Sequence, residues 1–449
     1  MNKVETQATK VLAQFVASFR DYELLKKDRE KVGQILLDYY CAAITGAETE
    51  TSKLVYKYLL EVEGEGNINV IGNSHGLSVA NAAFVNGTSA HCLDFDDGHT
   101  HGSIHPAAPI IPAVMAVAEE IKSTSEEILR AIIVGYEVCL RIASAIHPNS
   151  RKRGFHNTPI AGIFGATAAV SYLYKIDESG IESALGVAAS FAGGLFAFLG
   201  TGSEVKRIHP GQAARDGIHA VKLSMSGLTG PKQVLEGENG FFQAFAGEHN
   251  SERLIRGLGE SLEIYNVYFK PYPCCRHLHV VIDVIYEMKK SNNIELDKIE
   301  VIHVGVNQIA AMHKHTDCKT LLDAQMSMPY AIALALIYDG LNVELFNPEN
   351  ITPLIEGLLS KINIYVDEEI DKMYPAFRAG KVQIVTSNQE VYEHFSENPL
   401  GEPTKPLSEE QMKHKFLSNC TPILGEKRAQ EVLMGILQQP IRLEVLSKL

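Results

Sequence analysis

The chain has 449 residues, 45% of them hydrophobic and 21% charged, with a formal net charge of −13. That length exceeds one ordinary core and suits two domains, and the composition excludes a disordered chain. So acidic a balance argues against a nucleic-acid partner, which needs a basic face for phosphates, but not against a small anion in a locally positive pocket.

From the N-terminus, Met-Asn-Lys-Val-Glu-Thr shows no basic segment leading into an apolar one, so no signal peptide is expected. Val32, Ile35, Leu36, Tyr39 and Ala43 recur at helical spacing, with Gly46 placed to end the segment. Thr124-Ser-Glu-Glu127 is a capping-box pattern, and Ile128, Ile132 and Ile142 carry an apolar face behind it. Ala161–Leu173, Ile181–Ser190 and Gly211–Leu228 are rich in small residues and of helical length. The most apolar stretch, Val187–Leu199, falls short of the roughly 20 residues that span a bilayer, so it is expected to be a buried helix or loop.

After Tyr265 the texture changes. Ile299–Val306, Ile362–Val366 and Val382–Thr386 are β-branched, and Ser387–Glu390 is a turn with Val391–Phe395 as hairpin partner. Helical stretches, His277–Lys290 and Pro329–Tyr338, lie between the strands, and helical texture returns from Ser408, with Glu426–Leu437 amphipathic. The expected architecture is mainly α: a large helical domain from residues 1–265 and 400–449, with an α/β domain, 266–399, inserted. The seven cysteines are odd in number and scattered, as in a reducing compartment, so a cytoplasmic location is expected.

Four clusters carry chemistry. Asp94-Phe-Asp96-Asp97-Gly-His99-Thr-His101-Gly-Ser-Ile-His105 packs three acids and three histidines into one short segment. It reads as a divalent-metal site on His99 and His101 with Asp96 or Asp97, as an acid/base site in which carboxylates orient imidazole, or as a solvated loop with capping aspartates. In Gly154-Phe-His156-Asn-Thr158, Thr158 or Asn157 can cap the following helix, which puts His156 at its positive end. Lys206-Arg207-Ile-His209 opens a Gly/Ala-rich helix and suits a carboxylate anchor, Arg207 binding bidentately and Lys206 as a point charge. Lys270-Pro-Tyr-Pro-Cys274-Cys275-Arg276-His277 leads into a helix with thiols, a cation and imidazoles in its first turn. Taken singly, each cluster has a bland structural reading as a cap, a basic turn or a buried thiol.

In order along the chain these motifs resemble the MmgE/PrpD family, which contains 2-methylcitrate dehydratase and cis-aconitate decarboxylase. The resemblance rests on Leu93-Asp-Phe-Asp-Asp97 with His105-Pro106, Gly154-Phe-His156-x-Thr158, and Lys206-Arg-x-His209-Pro-Gly211. Gly230-Pro231, Lys270-Pro-Tyr-Pro-Cys-Cys-Arg276 and Pro329-Tyr330 complete it. It implies a helical domain with a smaller α/β lid, a homodimer, no metal or organic cofactor, and a lyase of small di- or tricarboxylates. Carried over position by position, Asp94, His105, His156 and Lys206 are the expected catalytic residues. Arg207, His209, Asp97, Lys270, Cys275, His277 and Tyr330 are expected to bind substrate, with Asp94 orienting an imidazole. Two departures are visible: Gly98 stands where the animal decarboxylases have threonine, and Cys275 where they place a histidine. An epimerase of an iminodisuccinate-like dicarboxylate on the same scaffold, and a metal-dependent hydrolase built on His99, His101 and His105, are the alternatives.

Overall fold

The structure, a computed structural model, describes residues 7–198, 203–374, 376–446 and 449; Leu199, the end of the apolar stretch singled out above, lies outside them. It is mainly α with a small α/β part. By their contacts the residues form two compact units. The first comprises Met1–Cys92, Asp96–Tyr268 and Glu409–Leu449, and the second Leu93–Phe95 and Phe269–Ser408.

The first unit is built of helices α1 (Lys26–Ala47), α2 (Val79–His91), α3 (Ala107–Ile121), α4 (Ser125–Ile146), α5 (Asn157–Leu173), α6 (Glu178–Phe191) and α7 (Val205–Met225). The Thr124 hydroxyl and the Glu127 carboxylate cap α4 reciprocally, as their spacing predicts. Its Ile128, Ile132 and Ile142 are buried. Helix α5 packs along α4 and α7, and α7 along α2, with close approach at glycines such as Gly165 and Gly217. A Cβ on Gly211 of α7 would overlap the Phe84 carbonyl oxygen of α2. The same reason corrects the expected stop at Gly46. Helix α1 runs through it to Ala47, because Gly46 is where α1 presses on the Ser89 carbonyl of α2. Helix α7 begins at Val205, so Lys206, Arg207 and His209 belong to its first two turns. The chain end returns as Glu409–Leu424 and Glu426–Leu437, anchored on α1 by a buried ion pair, Lys415 Nζ to Asp38 Oδ1 at 2.6 Å.

The second unit has a four-stranded mixed sheet of β1 (Ile299–Val306), β2 (Ile362–Val366), β3 (Gly380–Thr386) and β4 (Val391–Ser396), in the order β2-β1-β3-β4. Strand β1 runs parallel to β2 and antiparallel to β3, and β3–β4 is the expected hairpin. Buried and half-buried residues alternate along β3, which directs Val382 and Ile384 to the core. Helices α8 (Arg276–Ser291) and α9 (Met328–Ile337) supply the rest of that core, including Val280, Val284 and Ile285.

Candidate active site

In the first unit four imidazoles stand in a row. Ring centroids are 5.1 Å apart for His105–His91, 6.1 Å for His91–His156 and 5.3 Å for His156–His209. His91 ends α2, His105 lies just before α3, His156 is the N-cap residue of α5, and His209 lies one turn after Lys206 on the same face of α7.

The Asp96 carboxylate sits between the first two rings. It accepts from His91 Nδ1 at 2.8 Å, and its other oxygen lies 3.6 Å from His105 Nδ1. His105 Nδ1 also lies 2.7 Å from the Asp97 carbonyl oxygen. A carbonyl only accepts, so Nδ1 carries the hydrogen and Nε2 is the basic nitrogen of the neutral ring. The His105 backbone N–H donates to the Thr158 hydroxyl at 3.3 Å, tying this loop to the start of α5. The His105 side chain is 17% accessible whereas that of Asp96 is fully enclosed, so His105 is the member of the pair a substrate reaches.

The inner pair behaves differently. His156 Nδ1 and His209 Nδ1 are 3.0 Å apart, which requires one ring to donate to the other. Burial, reinforced by the charges of its neighbours, holds His156 well below its ordinary pKa. Burial, with His91 and Lys206 acting the same way, takes His209 down to about 4. Both rings are neutral at pH 7, and with one N–H used between them the pair keeps a single further N–H, on Nε2 of the accepting ring. The nearby positive charge is that of Lys206, itself buried.

Several expected roles are corrected. Asp97 is a structural acid: it accepts from the Ala107 backbone N–H at 3.0 Å, at the start of α3, and from the Tyr136 hydroxyl at 2.8 Å. Burial, then the Asp38 charge, raises its pKa far above the carboxylate range. The carboxylate set between imidazoles is that of Asp96. Arg207 is engaged by Glu204 at 2.7 Å and Thr51 at 3.0 Å, so the expected bidentate anchor is a clamp holding α7 to the start of the helix Glu50–Glu63. Neither Thr158 nor Asn157 caps α5. Thr158 holds His105, while Asn157 accepts from the Ser150 hydroxyl and donates to the Gly102 carbonyl. Gly98 pairs with Tyr268, and a Cβ there would overlap the tyrosine ring, which accounts for glycine in place of threonine.

The metal expectation moves as well. Among the described residues, the group of three that can hold a metal ion is His91, Asp96 and His105, with ligand atoms all within 4.8 Å of one another. His99 is buried and accepts from the Gly102 N–H at 3.1 Å, and His101 is exposed.

The other expected residues belong to the second unit. Asp94, at a left-handed φ of 52°, lies 3.2 Å from Lys270 Nζ through its carboxylate, and its carbonyl accepts from the same nitrogen at 2.8 Å. Cys275 is the N-cap residue of α8, with His313 Nε2 3.7 Å from its sulfur and the His277 ring stacked on His313 at 5.8 Å. Tyr330 is a core residue whose hydroxyl donates to the Leu345 carbonyl at 3.0 Å, which corrects its expected role in binding substrate.

Sequence reasoning missed His91 and His313 as functional candidates, and considered Asp96 only as a metal ligand. The available signal for His91 was a histidine ending an Ala-rich helix five residues before Asp96. His313 gave none, being 38 residues from its partner.

A chain with a helical unit, a small mixed-sheet unit and a buried imidazole row beside a lysine matches known proteins over most of its length. Residues 10–254 match the MmgE/PrpD N-terminal domain and residues 272–439 the MmgE/PrpD C-terminal domain. The chain belongs to the MmgE/PrpD family. It is 29% identical to human cis-aconitate decarboxylase, over 87% of this chain and 83% of that protein. It is 26% identical to the cis-aconitate decarboxylase of Aspergillus terreus, over 90% of this chain and 87% of the other. To the cis-aconitate decarboxylase-like protein oryM of Aspergillus oryzae it is 25% identical, over 96% and 94%. The chain is accordingly a lyase of the carboxy-lyase or hydro-lyase kind. No helix among the described residues is long and apolar enough to cross a membrane.

Proposed function

We propose that this lyase acts on a small polycarboxylate, as a decarboxylase of cis-aconitate or a near relative of it, by imidazole acid/base chemistry without a metal or organic cofactor. The observation that carries this reading is the His105 ring, pinned at Nδ1 by the Asp97 carbonyl, flanked by the Asp96 carboxylate and part-exposed, so that Nε2 is its basic nitrogen. Loss of carbon dioxide leaves an electron pair on the carbon chain, delocalised toward a remaining carboxylate. Lys206 offsets that charge, the neutral His156–His209 pair donates its one remaining N–H to a carboxylate oxygen, and His105, protonated at Nε2, returns the proton to carbon.

The same residues serve a dehydratase, in which His105 removes the proton and a β-hydroxyl leaves, and an epimerase, in which the proton returns to the opposite face. The names of the three relatives favour decarboxylation. The roles expected of Asp94, Lys270, Cys275 and His277 remain proposals, each open to substitution, as are a homodimer, tested by light scattering, and a cytoplasmic location. Incubating the purified chain with cis-aconitate, 2-methylcitrate, citrate and iminodisuccinate in D₂O, with products followed by NMR, tests the reading. Carbon dioxide release with one deuterium on carbon supports a decarboxylase. Deuterium exchange without a change in mass beyond it points to the epimerase. Loss of activity on metal chelation, restored by zinc, would favour the hydrolase alternative, with His91, Asp96 and His105 as ligands.

A further inference from the structure

The seven cysteines are free, and six are buried; Cys275 is the one that solvent reaches. Its surroundings are not those of an idle thiol. Sγ lies 3.7 Å from His313 Nε2, and His313 Nδ1 is 3.0 Å from the Met326 carbonyl oxygen. That carbonyl fixes the hydrogen on Nδ1, so in the neutral ring Nε2 presents its lone pair to the thiol. The arrangement is nucleophile, base and orienting group in sequence. Cys275 also caps α8, a helix of 16 residues whose N-terminus favours negative charge. Beside the pair, the His277 ring stacks on that of His313, and its buried Nδ1 has no hydrogen-bond partner among the described residues. A polar atom left over there is placed to meet a ligand oxygen.

We propose that Cys275 and His313 form a thiol–imidazole pair that makes Cys275 a covalent attachment site for soft carbon electrophiles, specifically compounds with a carbon–carbon double bond conjugated to a carbonyl or carboxylate. The thiol proton passes to His313 Nε2. The sulfur adds to the β-carbon, the double-bond electrons move to the α-carbon, and the α-carbon takes the proton back from His313. Nothing leaves, and neither carbon nor sulfur needs an external oxidant.

The electrostatics agree with the geometry. Burial is the largest influence on Cys275 and would raise its pKa, but the His313 charge, the hydrogen bond to His313 and the His277 backbone N–H together lower it. Burial acts to lower His313, yet the Cys275 thiolate carries it up to about 9. Asp94 works against the thiolate and for the imidazolium, while Arg378, Lys270 and Arg276 keep His277 neutral once burial has lowered it. The inference is independent of the reaction proposed above, because it is read as mass added to one residue.

The test is labelling of the full chain with a small amount of N-ethylmaleimide at pH 6.5, followed by intact and peptide mass measurement. One adduct on Cys275 is expected, forming at least about tenfold faster than on glutathione under the same conditions. Cys275→Ser should abolish it, and His313→Gln should slow it by about tenfold or more. If His313→Gln does not fold, the unaltered chain still decides. The labelling rate of Cys275 should fall less steeply from pH 8 to 6.5 than that of an ordinary thiol, which drops about tenfold per pH unit. Labelling of Cys275 no faster than glutathione, first labelling at another cysteine, or an ordinary thiol's pH profile would overturn the proposal.

Discussion

The Asp97 carbonyl fixes the hydrogen of His105 on Nδ1, which makes Nε2 the basic nitrogen of the neutral ring, and the Asp96 carboxylate flanks it. His105→Asn should keep the fold and lower kcat by about 10²–10⁴-fold, measured against each polycarboxylate at saturation. Asp96→Asn should give a smaller loss and shift the pH–rate profile, because it alters the ring's basicity without removing the ring. The inner rings make a different prediction. His209 is lowered to about 4, so the unfolded chain binds its proton first as pH falls. The stability it contributes is complete above pH 6.5 and is lost as pH drops toward 4. Thermal unfolding followed between pH 7 and 4 should show that decline, and His209→Gln should flatten it. At this scale the sequence was only partly legible. His105, His156, Lys206 and His209 were evident as chemistry-bearing residues. The division of roles among Asp94, Asp96 and Asp97 was not, because their partners, Lys270, His91 and Tyr136, come from other parts of the chain.

Helices and strands were the easier part. Strands β1 and β2 and the helix Glu426–Leu437 fall at the residues their patterns indicate, and the Thr124–Glu127 box caps α4 because that motif is local. What failed was non-local. Gly46 reads as a helix end from its neighbours, but its partner is Ser89 on another helix, 43 positions away. Helix contacts of this kind predict that Gly211→Ala, although favourable to an isolated helix, destabilises the protein by about 1–3 kcal/mol, seen as a lowered Tm. A second element-scale prediction concerns α4, where Glu137 and Arg141 form a fully buried pair at 2.7 Å and Arg141 also donates to the carbonyls of Leu254 and Arg256. Arg141→Met strands a buried carboxylate and frees that loop, so a loss of about 3–5 kcal/mol is expected in denaturant unfolding.

Taken whole, a chain of net charge −13 gathers histidines and a lysine into its interior, so composition alone does not reveal the local charge of the proposed site. The family was legible from motif order, since each motif answers to a local demand of helix start, turn or charge. The three-residue segment Leu93–Phe95, which joins the second unit while its flanks belong to the first, was not. The central claim is that His105 moves a proton to or from a carbon next to a carboxylate. Its most direct test is NMR of uniformly ¹³C-labelled cis-aconitate in D₂O with the unaltered chain and with His105→Asn. We expect the unaltered chain to release labelled carbon dioxide and leave one deuterium on the product carbon, and the variant to do neither at a comparable rate. Equal turnover by the variant would contradict the account.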